Sequence, residues 1–282
     1  MSTLSSNISS RGEIVARLRG WLAGTEAFDP GAFWRDVASI GAPLITREAG
    51  DQREVTFLWR SAADLQTVYL RLNRITDKEH VAAGMMARHP GSDIWTVTLR
   101  LPASYRGSYT FTEIPVGTPK DVVALLGGRR PPFPSLSDPF SQTPKICVRG
   151  TEQETVLALD HAPRQDEWTG VVGEHSGTLT VTHQYLAGRK RQVRLYVPDV
   201  SLALPLGLLV LPDAEIWFDH LGVAGAVDRA IGGERIAPFA VLGIDNLDES
   251  DRAAILGGRV GIVREIGEGL VPWGSHSYAD RT

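Results

Sequence analysis

The chain has 282 residues, a formal net charge of -4 and 43% hydrophobic residues, which excludes a disordered or fibrous polymer and fits about two globular domains. Cys147 is the only cysteine, so an intrachain disulfide and a cysteine-built zinc cluster are both excluded. The densest basic stretch, Arg189-Lys190-Arg191 with Arg194 close behind, reads as a solvated strand end rather than a nucleic-acid patch.

Met1 to Ser10 is polar and serine-rich, without the apolar centre of a secretory signal. The longest apolar run, Leu202 to Pro212, is shorter than the roughly 20 residues that span a bilayer. The expectation is a cytoplasmic protein with no membrane and no nucleic-acid partner.

In chain order, Ile14, Val15, Leu18, Trp21 and Leu22 recur at helical spacing and predict an amphipathic helix over 11–24. A second short helix follows Asp29-Pro30, with Phe33, Trp34 and Val37 on one side, and ends at Gly41-Ala42-Pro43. The texture then turns to β: 55–60, 67–72, 94–101 and 108–114 are short runs bounded by polar or Gly/Pro segments, and Trp95, Val97, Leu99 and Leu101 alternate with period two. Closely spaced strands of this kind predict an immunoglobulin-like β-sandwich. The proline-rich stretch 127–141 predicts a linker.

The second half opens with β signals at 154–160, 177–185 and 192–197. Leu204 to Leu211 is nearly continuous in apolar residues, as in a strand covered on both faces. A helix over 216–231, a buried strand over 239–244 and a helix over 260–273 complete an α/β pattern. The fold class expected is α+β: an N-terminal extension with a helix (1–27), a β-sandwich domain and linker (28–150), and an α/β domain (151–282).

No Gly-x-Ser-x-Gly elbow occurs. Gly107-Ser108-Tyr109 and Gly274-Ser275-His276 read as turns. The seven histidines form no HExxH motif and no close pair, and Glu215, Asp219 and His220 read as an exposed helix face rather than metal ligands. One loop is chemically suggestive: Leu208 to Glu215 ends a strand and opens a helix, and ligands of open α/β sheets sit beyond the carboxyl ends of strands. A plain strand-to-helix connection fits it equally.

Several segments together resemble the bacterial enterochelin (enterobactin) esterases. In the first half these are Val55-Thr56-Phe57-Leu58-Trp59-Arg60, Gly91-Ser92-Asp93-Ile94-Trp95, the run Leu101 to Phe111, and Ser137-Asp138-Pro139-Phe140, which is similar to that family's Asp-Pro-Leu-Asn signature. In the second half they are Ser176-Gly177-Thr178-Leu179, Arg191 to Pro198, and Leu209 to Trp217, which resembles a Leu-Leu-Asp-Gly-Glu-x-Trp loop with Ala214 in place of glycine. Further on, Ile255 stands for a glutamate, Glu268 to Trp273 resembles the stretch before the nucleophile strand, and Asp280-Arg281-Thr282 resembles the residues adjoining it.

The resemblance implies hydrolysis of the ester bonds of a ferric catecholate siderophore trilactone in the cytoplasm. Iron would enter only as part of the substrate, with no cofactor and no resident metal. It implies an incomplete α/β-hydrolase domain in which Asp213, Ala214 and Glu215 form an oxyanion loop and Arg252 and Trp217 meet the substrate. The family's serine and histidine would lie beyond Thr282. The expectation is therefore a chain without catalytic residues, inactive unless a C-terminal fragment complements it, or else a siderophore-binding module or a remnant. A well-formed first half and a less stable second half are expected with it.

Overall fold

The computed structural model describes residues 10–24, 29–47, 50–128, 131–143, 145–149, 152–200, 206–256 and 260–274. The chain divides into two compact units, Met1–Pro163 and Arg164–Thr282.

The first unit opens with two helices whose starts are written in the sequence. In α1 (Arg11–Leu22) the Ser10 hydroxyl accepts from the Glu13 N–H while the Glu13 carboxylate accepts from the Ser10 N–H, a capping box. In α2 (Pro30–Ile40) the Asp29 carboxylate accepts from the Gly31 and Ala32 N–H groups, and proline occupies the first position, where its missing donor costs nothing. Arg17 donates to Asp36 at 2.9 and 2.5 Å and ties the helices together. Their apolar faces, including Leu18, Trp21, Phe33 and Val37, pack on Leu44, Leu58 and Ile94.

Eight strands follow: β1 (Leu44–Arg47), β2 (Gln52–Arg60), β3 (Leu65–Leu72), β4 (Met85–Arg88), β5 (Ile94–Pro102), β6 (Arg106–Pro115) and, after the short helix α3 (Lys120–Ala124), β7 (Lys145–Arg149) and β8 (Glu152–Ala158). They form one antiparallel ladder in the order β1-β2-β5-β4-β3-β6-β8-β7. Short β4 joins its halves, pairing with β3 through Met85 and Met86 and with β5 through Ala87 and Arg88. The sheet curls, because side chains from strands that are not neighbours meet face to face. The rings of Phe57 and Tyr109 lie 5.1 Å apart and those of Trp59 and Phe111 5.0 Å apart. This explains the unbroken apolar text of β2: Val55, Phe57 and Trp59 face the enclosed core while Leu58 faces the helices.

The proline-rich stretch expected as a linker is instead stitched into this unit. Asp138 is fully buried; its carboxylate accepts from the Tyr109 hydroxyl at 2.7 Å and the Phe140 N–H at 2.8 Å, and its own N–H donates to Thr155 Oγ1. Phe140 stacks on Trp34 at 4.8 Å, and Leu136 exchanges backbone hydrogen bonds with Phe111. The β signal at 154–160 belongs here too, as β8 paired with β6.

The second unit is a sheet between helices. It runs β9 (Thr178–Leu186), β10 (Arg189–Val197), β11 (Gly207–Pro212), α4 (Ala214–Asp219), α5 (Val223–Gly232), β12 (Phe239–Ile244), α6 (Glu249–Leu256) and α7 (Val260–Glu265), followed by a π turn over Ile266–Leu270. The strand order is β11-β12-β10-β9, with β11 parallel to β12 and the other pairs antiparallel. Val193, Leu242 and Ile244 face Ile255, Ile262 and Leu270, whereas Tyr196 and Val241 face Ala214, Phe218 and Val227. The single helix expected over 216–231 is two, separated at Gly222, whose φ of +68° suits glycine. Two burial expectations are corrected. The apolar run of β11 lies at the sheet edge, with Leu209 40% exposed, and the strand covered on both faces is β12. Arg191 is fully buried rather than solvated.

Candidate functional site

Because β11 and β12 are parallel neighbours, with Pro212 opposite Ile244, their carboxyl ends open on the same edge of the sheet. The loop after each strand therefore emerges beside the other. Asp213 follows β11 directly, and Asp245 and Asn246 follow β12.

Asp213 has φ +61° and ψ +37°, the left-handed region. Aspartate enters it more readily than most residues, yet the conformation still disfavours a non-glycine residue by about 1 kcal/mol. Its carboxylate is gripped from two sides. Arg252 donates Nε and Nη2 to Oδ1 and Oδ2, both at 2.7 Å, and Asn246 Nδ2 donates to Oδ1 at 2.6 Å. Asn246 also holds Glu215, through Nδ2 at 2.8 Å and its backbone N–H at 3.1 Å. The Asp213 carbonyl accepts from the Ile216 and Trp217 N–H groups and so starts α4.

Ala214, where the resemblance implies a glycine, sits without strain, since the left-handed residue is Asp213 and Ala214 is the first residue of the helix. It is fully buried, and its Cβ fits because its neighbour on β12 is a glycine: a Cβ on Gly243 would stand 2.7 Å from that of Ala214 and 2.8 Å from the Phe218 ring.

Trp217 is half-buried in the α4–α5 core, its ring 6.1 Å from that of Trp168. Trp168 was not singled out by spacing, because it lies far upstream in a short 3-10 turn over Asp166–Thr169.

Two more arginine forks brace the same loops. Arg194 of β10 donates to Asp219 at 2.5 and 2.8 Å and to Asp245 at 2.8 and 2.7 Å. Burial opposes the charge of Arg194, and its bonds to Asp219 and Asp245 outweigh that, so its pKa is raised; burial likewise lifts the Asp245 carboxyl against the pull of Arg194. Arg191 forms a bidentate pair with Asp251 at 2.6 and 2.9 Å, and the Leu247 N–H donates to the same carboxylate. Sequence reading placed these arginines on a wet strand end because a charge run carries no signal of the carboxylates that will meet it 25 to 60 residues later.

The remaining candidates are dispersed. Glu215 turns to Asn246 and Asp219 to Arg194, and among the described residues no group of three His, Cys, Asp or Glu side chains is placed to hold a metal ion. Ser108 lies within β6, while Ser275, His276 and Asp280 to Thr282 lie outside the described residues. An open depression of about 410 Å³ lies beside the β9–β10 turn, lined by Ala187, Arg189, Asp251 and Glu265 among others. None of Asp213, Ala214, Glu215, Trp217 and Arg252 lines it, and the convergence of loops marks the candidate site better than the depression does. Among the described residues no helix is long and apolar enough to cross a membrane.

The sequence family described as enterochelin esterase, N-terminal, matches residues 54–168, from β2 to the turn that carries Trp168. The iron(III) salmochelin esterase of Escherichia coli O6:H1 is 52% identical over 268 residues, 94% of this chain and 65% of that protein. The chain carries the N-terminal domain of the enterochelin esterase family. Within this family, the iron(III) enterobactin esterase of Yersinia enterocolitica is 27% identical over 265 residues, 83% of this chain and 72% of its own length. Two solved enterobactin esterases share the fold. That from Salmonella typhimurium has a TM-score of 0.67 at 22% identity, covering 86% of this chain and 65% of its own. That from Shigella flexneri, determined in the presence of enterobactin, has a TM-score of 0.62 at 21% identity, with 86% and 64% covered. The chain thus spans about 65% of the length of the salmochelin esterase and of the Salmonella typhimurium esterase.

Proposed function

We propose that this chain supplies the substrate-side part of a ferric catecholate siderophore ester hydrolase. The observation that carries the reading is the 52% identity, along almost the whole chain, to a protein named for salmochelin hydrolysis. The relative solved with enterobactin supports a catecholate trilactone as the ligand class. The second unit is read as the opening of an α/β-hydrolase domain. The order β9-β10-β12-β11, with β10 antiparallel to the rest, supports this, as does the first loop after a parallel strand being the Asp213–Glu215 turn.

In such a domain a serine hydroxyl attacks the ester carbonyl, the alcohol leaves, and backbone N–H groups receive the charge that develops on the carbonyl oxygen. The turn at Asp213, Ala214 and Glu215 is the oxyanion-side element in this reading, and Trp217 with Trp168 offers aromatic faces for catecholate rings. The 282 residues contain no Gly-x-Ser-x-Gly elbow. The nucleophile is accordingly assigned outside them, with binding retained, turnover requiring a complementing segment, and iron handled as substrate in the cytoplasm.

The test is to titrate ferric enterobactin into the chain, following tryptophan quenching, and to chromatograph the mixture for dihydroxybenzoyl-serine products. Binding at micromolar ligand without products is expected. Product formation by the chain alone overturns the assignment of the nucleophile, and absence of binding overturns the substrate class.

A further inference from the structure

We infer that Arg252 and Asn246 are positioning residues, which hold the Asp213 turn in its left-handed path from the neighbouring loop and act on the substrate only through that turn. The inference deepens the function proposed above, and it rests on that reading for the claim that the turn faces the ester.

Three observations converge on it. Asp213 is a non-glycine residue held at positive φ, and such a conformation persists where surrounding contacts over-determine it. Those contacts come from the β12–α6 side: the bidentate Arg252 fork and the Asn246 amide, which bridges Asp213 and Glu215 on either side of Ala214. Ala214 cannot relax independently, because its buried methyl is seated on Gly243. The backbone of the turn is thus fixed at both flanking side chains and from beneath.

Charge argues the same way. A ferric tris-catecholate is an anion, and an arginine recognising it by charge would stand apart from carboxylates. Here the Nε–Nη2 edge of Arg252 is taken by Asp213, and Glu215 adds a second negative group to the cluster. Arg252 also lies in the first turn of α6, where the helix dipole disfavours a cation and a paired carboxylate offsets the penalty. The pair suits mechanical bracing better than anion capture.

Glycine at position 213 separates bracing from contact. Glycine adopts the left-handed conformation without strain, so it removes the need for a brace while leaving any contact between Arg252 and substrate in place. The experiment compares wild type, Arg252→Ala, Asp213→Gly and the double variant, each as the full chain, for ferric enterobactin affinity and for the urea midpoint of the second unit. Bracing predicts that Arg252→Ala weakens affinity by roughly tenfold in the wild-type background, a size usual for residues in one ion-pair network, and by less than about twofold in the Asp213→Gly background. Equal losses in both backgrounds show a direct contact and overturn the inference, as does an Arg252→Ala variant unchanged in affinity and midpoint. If the wild type binds no siderophore, the functional reading fails by itself. The urea cycle still decides the brace: a lowered midpoint for Arg252→Ala that disappears on Asp213→Gly supports it, and additive midpoints refute it.

Discussion

Removal of the carboxylate that neutralises Arg191 should cost the second unit more than any single surface change. Arg191 is fully buried, and its guanidinium points Nη1 and Nη2 at Asp251, with the Asp245 and Leu186 carbonyls as longer contacts at 3.4 and 3.2 Å. In Asp251→Ala a full positive charge remains inside the unit with, among the described residues, two carbonyl oxygens as its remaining hydrogen-bond partners. Breaking a buried pair from one side typically costs about 3–5 kcal/mol. The Leu247 N–H loses its acceptor as well, adding about 1 kcal/mol. For a unit of this size about 4 °C accompanies each kcal/mol, so the combined loss of about 4–6 kcal/mol should lower the melting midpoint by about 16–24 °C. Differential scanning calorimetry of the full chain, with the transition of the first unit as an internal reference, measures this. A fall under about 4 °C would refute the argument, since it would mean that water or a rearranged carboxylate solvates Arg191 at little cost. The same pair predicts an acid dependence. The hydrogen bond from Arg191 holds the Asp251 carboxyl below its ordinary value against the opposing effect of burial. A depressed folded-state pKa contributes stability above the unfolded value of about 3.9 and loses it as pH falls through the folded one. Asp251→Asn should therefore flatten the acid limb of the second transition.

Four other outcomes are expected. Gly243→Ala forces a Cβ into Ala214 and Phe218 and should destabilise the second unit by about 1–3 kcal/mol in urea, and Ala214→Gly in the same chain should restore part of the loss. Tyr109→Phe removes the hydroxyl donor to buried Asp138 and should cost about 1–3 kcal/mol in the first transition, with faster protease cleavage between Pro131 and Thr143. Limited proteolysis of the wild type should open the second unit before the first, because β11 presents an exposed edge; equal resistance of the two units would contradict this. Trp168→Ala should weaken ferric enterobactin quenching if the Trp168–Trp217 pair meets the ligand, and unchanged affinity would remove that pair from the site.

The helices of the first unit were legible because their signals are local. Ser10 with Glu13 and Asp29 with Pro30 announce the starts, and the apolar spacing gives the buried face. In the curled sheet β2, β3, β5, β6 and β8 were legible as strands, but β1, β4 and β7 were not; for β4, a four-residue run with two methionines carries no clear period. Its short length hides the fact that it joins the two halves of the ladder. Burial was misread where hydrophobicity and position in the sheet disagree. Both β11 and β12 are apolar, yet only the sheet order tells which has neighbours on both sides. At the site, Asp213, Ala214, Glu215, Trp217 and Arg252 were all named from the chain. The bond from Arg252 to Asp213, the bridging role of Asn246 and the left-handed backbone at position 213 were not. Each depends on a contact between residues more than 30 positions apart, which periodicity cannot report. Ala214 in place of a glycine is accommodated because the unusual backbone falls one position earlier, at Asp213.

The anchoring of Asp138 and Phe140 bears on where the protein can be cut. A first unit trimmed at the start of the proline run would strip the acceptor from the Tyr109 hydroxyl, uncover one face of Trp34 and free the backbone of Phe111 at a sheet position that Leu136 now occupies. The proline run acts as a seam allowance: the fabric of the first unit extends past the strands that define it, and an excised fragment that keeps its shape has to carry the run and the hairpin after it, through Pro163.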